Sequence, residues 1–481
     1  MLNSHPSIRA CLYGLCVLLS VGLGTGCSSG PPSSDLSALY DQAAQYHGVE
    51  RNPIILIPGI LGSKLVHAPS DTTVWGAFTG KYADPRTPTG ARQVALPMRE
   101  GASLSALRDS VRPNGALEKM KTRILGLPFS LDAYIDILRS LGIGGYRDED
   151  GALDEVDYGP DHFTCFQFDY DWRRDNVENA QRLHRFIQEK RAYVQREYEK
   201  RFGVEDYNVK FDIVAHSMGG LLTRYYLRYG PSDLPTDGSQ PDLTWAGSRY
   251  VERVVLVGTP NGGSLKTLKY LVEGRDFGRF TPTYAPALLG TMPSLYQLLP
   301  RSRHGRLRAA SDTSVVVENL YDPSLWTRME WGLADPDQDD VLRTLLPHAD
   351  DSTARRRIAL NHLRTSLRRA RHFTAALDTP ATRPDSLDLM LIAGDAESTL
   401  ARMTVNRTTG ALSVLDTAPG DGTVLRSSAL MDERVGGRWD PTLRSPIDWS
   451  QVTFLFGSHV EMTADPAFTD NLLYYLLEHP R

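Results

Sequence analysis

No apolar run in this sequence approaches the roughly 18 residues that a bilayer-spanning helix needs, so a polytopic helical membrane protein is excluded. A basic surplus is also missing. Lys and Arg number 53 against 58 Asp and Glu, a formal net charge of −5, which leaves no electrostatic footprint for nucleic acid. No internal repeat is visible, which excludes a solenoid or propeller. There is no His-Glu-x-x-His or Cys-x-x-Cys pattern and no Gly-rich phosphate loop, so neither a metal nor another cofactor is expected. Cysteine is scarce: of the 4 present, Cys11 and Cys16 fall in an apolar leader and Cys27 at its end. Only Cys165 remains in the body, in an apolar strand-like run, which excludes a disulfide framework and suits a small buried hydrophobe. What is present is ordinary for a folded protein, with 41% apolar and 23% charged residues. A chain of 481 residues would make three domains of about 150 residues, or one α/β core of about 250 carrying insertions.

Residues 1–26 read as an export signal. Arg9 supplies the positive start, and the apolar run from Ala10 to Leu23 is too short to span a bilayer. Cys27, followed by Ser28, Ser29, Gly30, Pro31 and Pro32, resembles the processing site of bacterial lipoproteins, where the cysteine is lipidated and becomes the mature N-terminus. Gly24 stands where Leu is usual there, and a conventional cleaved signal is the alternative. Residues 27–50 then act as a tether, rich in Ser and Pro up to Ser34. The expected location is exported: a periplasmic or outer-membrane-anchored lipoprotein held by its N-terminal lipid, or a secreted protein.

From residue 51 to 481 strands and helices alternate. Ile54 to Ile57 is a short unbroken apolar run ended by Pro58-Gly59, as a strand buried on both faces would be. Phe163 to Tyr170 is a second β-rich run. The pattern is helical from Asn176 to Phe202, with Ala180, Leu183, Ile187 and Val194 near 3.6 spacing and Gly203 placed as a C-cap. Strands follow at Phe211 to Val214, Val251 to Val257, Leu387 to Ala393 and Val452 to Phe456, with helices after Ser217 and from about Phe468. Strands separated by helices imply right-handed crossovers, hence an α/β fold with a mostly parallel sheet and helices on both faces.

The chemistry lies at strand ends. Ala215-His216-Ser217-Met218-Gly219-Gly220 sits between strand and helix, where a sharp turn would thrust the Ser217 hydroxyl outward. Ala215 replaces the first Gly of G-x-S-x-G and is still small. A plain helix-capping serine is the simpler alternative. A nucleophile needs a base and a group to orient it. Asp421 in Pro419-Gly420-Asp421-Gly422, and His459 after the last strand, follow Ser217 in the order expected of α/β-hydrolases; Asp395 is a rival acid and His216 a rival base. An oxyanion needs two backbone N–H groups, assigned to Met218 and, in the loop Pro58-Gly59-Ile60-Leu61-Gly62, to Ile60.

With these residues the chain resembles the lecithin:cholesterol acyltransferase-like family of α/β-hydrolases. The resemblance is carried in order by Ile54 to Leu65, Tyr170-Asp171-Trp172-Arg173, the Ser217 segment, Val257 to Ser264, Pro293 to Pro300, Gly420 to Val424, and His459 to Met462. It implies that Ser217 is the nucleophile, that Asp421 rather than Asp395 orients, that His459 is the base, and that Ile60 and Met218 hold the oxyanion. It also implies that Asp171, Trp172 and Arg173 line the cleft, although a capped helix start would use them equally well. The implied activity is two-step acyl transfer from a lipid or other acyl ester to water, as in a lipase or phospholipase, or to an alcohol acceptor. A catalytically silent lipid- or envelope-binding protein of the same fold is the competing class.

The animal enzymes of this family carry a lid disulfide after the oxyanion loop, and residues 61–160 here contain no cysteine. Trp75 is either a lid aromatic that meets acyl chains or a core tryptophan. Residues 264–386 read as a helical cap, with arginines at 301, 303, 306, 308, 355–357, 364, 368, 369 and 371. These form either a surface for anionic headgroups or a solvated face balanced by Asp339, Asp340, Asp350 and Asp351. Setting aside the leader, the excursion at about 61–160 and the cap leaves the length of one core.

Overall fold

The structure is a computed structural model that describes residues 35–77, 80–116, 122–124, 127–129, 133–151, 162–276, 281–317, 319–435 and 440–479. The leader, Cys27 and part of the tether lie outside them, as do segments of the 61–160 excursion.

Six strands form the central sheet: β1 (Ile54–Ile57), β2 (Cys165–Gln167), β3 (Phe211–His216), β4 (Val251–Val257), β5 (Asp388–Gly394) and β6 (Gln451–Leu455). Their order across the sheet is β6-β5-β4-β3-β1-β2, and every neighbouring pair is parallel. The apolar runs are explained by what each face meets. Ile55 and Ile57 of β1, with Ile213 and Ala215 of β3, point into one hydrophobic cluster. Ile54 and Leu56, with Val214 of β3, point into the other. A strand covered on both sides has no polar face to alternate with. Each fully buried aliphatic side chain of this kind contributes about 1.5–3 kcal/mol.

The covering helices are α1 (Ala133–Ile143), which packs with Pro466–Leu473 on one face, and α2 (Asn176–Phe202) with α3 (Met218–Tyr229) on the other. In α2 the buried residues Val177, Ala180, Leu183, Ile187, Val194 and Tyr198 follow the helical repeat. Asp175 caps its first turn by accepting from the Val177 amide, and Gly203 ends it at φ 66°. Beta-rich residues 163–170 yield only a three-residue strand, because beyond Gln167 the chain leaves the sheet and Tyr170 donates its amide to Ser63 Oγ.

Between β1 and α1 the chain forms an antiparallel three-stranded sheet of Thr72–Trp75, Ser63–His67 and Val111–Ala116. The segment after β4 carries α4 (Leu265–Glu273) and α5 (Ser352–Asp378). It is not wholly helical. Arg306–Ala309 and Asp312–Val317 pair with each other, and Arg306–Ala309 lies parallel to Glu397–Val405, which is antiparallel to Leu412–Gly420. Five of the eleven arginines are ion-paired: Arg355 with Asp339 at 2.7 Å, Arg357 with Glu100 at 2.9 Å, Arg301 with Asp378 at 2.9 Å, Arg303 with Glu433 at 2.6 Å, and Arg369 with Asp175 at 2.7 Å. A balanced face accounts for these five. Among the described residues no helix is long and apolar enough to cross a membrane.

Candidate active site

The carboxyl ends of β3 and β4 stand level, His216 opposite Val257, and the next residue is Ser217. Parallel sheets place ligands beyond these ends. Ser217 is held at φ 53°, ψ −125°, a region that costs a non-glycine residue of order 1–3 kcal/mol, and its amide donates to Val257 O at 2.8 Å. The turn is tight because its neighbours are small. A Cβ on Gly219 would lie 2.4 Å from Pro58 O, and one on Gly220 would lie 2.0 Å from Thr259 Oγ1. The strain fixes the hydroxyl at the start of α3, whose first amide, that of Met218, has no intrahelical acceptor.

His459 Nε2 is 3.0 Å from Ser217 Oγ, and His459 Nδ1 is 2.7 Å from Asp421 Oδ2. The other Asp421 oxygen accepts from the amides of Thr423 and Val424 at 2.9 and 2.7 Å. Burial alone would raise the pKa of this carboxyl, but the adjacent His459 and the two amides outweigh it and hold it below the usual carboxylate range. Asp395 stands elsewhere, ion-paired with Arg426 at 3.3 Å. His216 faces away from Ser217, with its two ring nitrogens 3.1 Å from Tyr134 Oη and 3.1 Å from His459 O. Burial first, and then the neighbouring His459, push its pKa down to about 3.

The loop after β1 turns back on itself through Gly62 N to Gly59 O at 3.1 Å, with Leu61 at φ 65°. The Ile60 amide is outside that bond. A Cβ on Gly59 would sit 2.7 Å from Ser217 Cβ, so only glycine lets the loop approach the hydroxyl this closely. Ser217 and His459 open into a cleft of about 220 Å³ whose walls include Ile60, Leu61, Leu295, Leu298 and Val460. Lys266 and Arg275 supply its cationic side.

Residues 151–351 match the lecithin:cholesterol acyltransferase family model. Over that stretch, fewer than half of its residues, the chain is similar to that family, and its fold is the α/β-hydrolase fold. The solved structure described as the Tle4–Tli4 complex includes a chain of the same fold, with a TM-score of 0.56 at 15% identity over 89% of this chain and 98% of that one. EstA from Clostridium botulinum aligns over 93% of this chain and 98% of its own at 13% identity and a TM-score of 0.32. Lipase 1 from Pelosinus fermentans aligns over 90% and 100% at 12% identity and 0.33, and both likenesses are too slight to build on. No curated protein matches the sequence.

In this chain Asp171 and Arg173 do not border the cleft. Arg173 is 0% exposed, pairs with Asp171 at 2.8 Å and Asp109 at 2.7 Å, and donates to the carbonyls of Gln93 and Val94. It ties the β2–α2 loop to the excursion after β1, a structural task in place of the expected substrate contact. Trp75 is 2% exposed and donates Nε1 to Leu61 O at 2.7 Å. Its ring meets Trp172 edge-on at 5.6 Å. The two tryptophans wall a small cavity of about 20 Å³ that shares Ile60 and Leu61 with the cleft, so Trp75 is at once core and the back wall of that space. Cys165 is buried, and burial raises its thiol pKa well above the ordinary value. Sequence reasoning missed Tyr134, Lys266 and Arg275. Lys266 was within reach, since Ser264 caps α4 two residues before it and the preceding motif ends at the cleft.

Proposed function

We propose that the chain is a serine-dependent acyl-ester hydrolase or O-acyltransferase acting on lipid esters through an acyl-Ser217 intermediate. The observation that carries this reading is the line from Asp421 through His459 to Ser217, built at a strained turn and opening into an apolar cleft. The family match favours the same ester chemistry. His459 Nε2 takes the Ser217 proton as Oγ attacks the ester carbonyl. The amides of Ile60 and Met218 receive the negative oxygen. Collapse breaks the bond to the alcohol, which leaves with the proton carried by His459. Water or an alcohol then attacks the acyl-serine and gives its proton to His459; collapse breaks the bond from the acyl carbon to Ser217 Oγ, which takes that proton back as the fatty acid or new ester departs.

Both outcomes use the same residues, and access of water to the acyl-serine decides between them. Export favours hydrolysis, with Cys27 as the anchor if the leader is processed as a lipoprotein. Segments 61–160 and 264–386 serve in this reading as lid and cap. The test is incubation of wild type and Ser217→Ala with a labelled phospholipid, with and without a sterol or simple alcohol. Free fatty acid alone identifies a hydrolase and a new ester a transferase. Turnover by the alanine variant at the wild-type rate would sink the serine mechanism.

A further inference from the structure

Two residues outside the Ser217, His459 and Asp421 line connect parts of the site that are far apart in sequence. Gly59 N lies 2.8 Å from Tyr134 Oη, Tyr134 Oη lies 3.1 Å from His216 Nδ1, and His216 Nε2 lies 3.1 Å from His459 O. The ends of this chain fix every proton in it. A backbone amide can only donate, so Tyr134 Oη accepts from Gly59. A backbone carbonyl can only accept, so His216 Nε2 carries a hydrogen and donates to His459. The imidazole is neutral in its buried setting, which leaves Nδ1 as the acceptor for the Tyr134 hydroxyl hydrogen. Each group is used once in each sense, and the run is directional from the loop after β1 to the loop after β6.

We propose that Tyr134 and His216 are positioning residues, which hold the turn that presents the Ile60 amide and the backbone of His459 in fixed relation through this chain of hydrogen bonds. The inference rests on the acyl-Ser217 reading and adds to it. The local packing suits the task. A Cβ on Gly62 would lie 2.5 Å from Tyr134 Oη, so the turn lies directly against the hydroxyl, and the Tyr134 ring meets the His216 ring edge-on at 5.6 Å. His459 is thereby fixed at both ends of its own residue. Its amide donates to Asp421 O at 2.8 Å, and its carbonyl accepts from His216. Helix α1, which supplies Tyr134, becomes part of the catalytic framework although it carries no group that touches substrate.

The experiment compares wild type, Tyr134→Phe, His216→Gln and His216→Ala on a soluble chromogenic ester, with competent sites counted by a fluorophosphonate that labels Ser217. Tyr134→Phe is expected to lower kcat per competent site roughly tenfold or more at unchanged KM, because misplacement of about 1 Å at a catalytic group is that costly. Inhibition by phenylboronic acid, which mimics the tetrahedral state, is expected to weaken in parallel. His216→Gln keeps an N–H directed toward the His459 carbonyl and should recover part of the loss seen in His216→Ala. A Tyr134→Phe enzyme with lowered Tm but wild-type kcat per site would overturn the proposal, as would equal rates for the two His216 variants. If Tyr134→Phe does not fold, the His216 pair decides alone. Ser217→Ala run alongside separates the two readings: full turnover there removes the serine mechanism itself.

Discussion

Asp421 and His459 are joined twice, once through side chains, Oδ2 to Nδ1 at 2.7 Å, and once through the backbone, where the His459 amide donates to Asp421 O at 2.8 Å. The second link does not depend on charge. Asp421→Asn should therefore keep its loop in place and lose little stability, while stabilising the wrong tautomer of His459. A fall in kcat of roughly ten-thousandfold is expected, with a near-native Tm. Steady-state kinetics beside thermal unfolding checks it, and a large drop in Tm would assign Asp421 a structural role instead.

Gly59→Ala should separate activity from folding in another way. The new methyl would lie 2.7 Å from Ser217 Cβ and 3.2 Å from His216 O, so loop or nucleophile must move. The expected cost in stability is about 1–3 kcal/mol. Ester turnover should fall at least a hundredfold if the displaced atoms form the oxyanion side of the site, as the proposed mechanism has it. Retention of full activity would remove this loop from the mechanism.

Arg173→Met is expected to act on the fold. It leaves Asp171 buried without its cation, and chemical denaturation should show a loss of about 3–5 kcal/mol. Burial opposes ionisation of Asp171, and the adjacent Arg173 overcomes that to hold its pKa below the usual range. In whatever fraction stays folded, KM should match wild type. A raised KM with unchanged stability would return Arg173 to substrate binding.

Acid should destabilise the protein through its buried histidines. Burial lowers the pKa of His362 from 6.5 to about 4, against the opposing pull of the Thr291 carbonyl that accepts from it at 3.0 Å. The unfolded chain takes up this proton below about pH 6.5 and the folded chain only near pH 4, so the stability present at neutral pH is lost as pH falls across that interval. The slope is about 1.4 kcal/mol per pH unit for each such group. Thermal melts at pH 7, 6 and 5 should fall progressively, and His362→Gln should flatten the trend. Parallel trends for the two proteins would refute it.

Much of this was legible in the sequence because it is local. The run Ile54 to Ile57 could only be a strand covered on both faces, and α2 announced itself by its repeat and by Gly203. The order Ser217, Asp421, His459 and the small residues around Ser217 made their meeting an expectation that geometry could check. Illegible were features created by distant pairing. Arg306–Ala309 becomes a strand because Glu397–Val405 lies beside it, and nothing in its own pattern says so. A core helix is expected somewhere within 61–160, but nothing in the local pattern says that α1 brings the Tyr134 hydroxyl to the Gly59 amide. The two readings of Arg173 stay level in the sequence because a buried arginine that binds carbonyls and a substrate-binding arginine look alike in a string of letters.

Glu397–Val405 has Arg306–Ala309 along one edge and, along the other, Leu412–Gly420, the strand that ends next to Asp421. The insertion and the acid-bearing strand thus share a common beam. Deleting residues 264–386 to obtain a smaller enzyme would strip one side of that beam and unsettle the carboxylate at its far end, so this chain cannot be trimmed to a bare hydrolase core by excising what looks like a separate module.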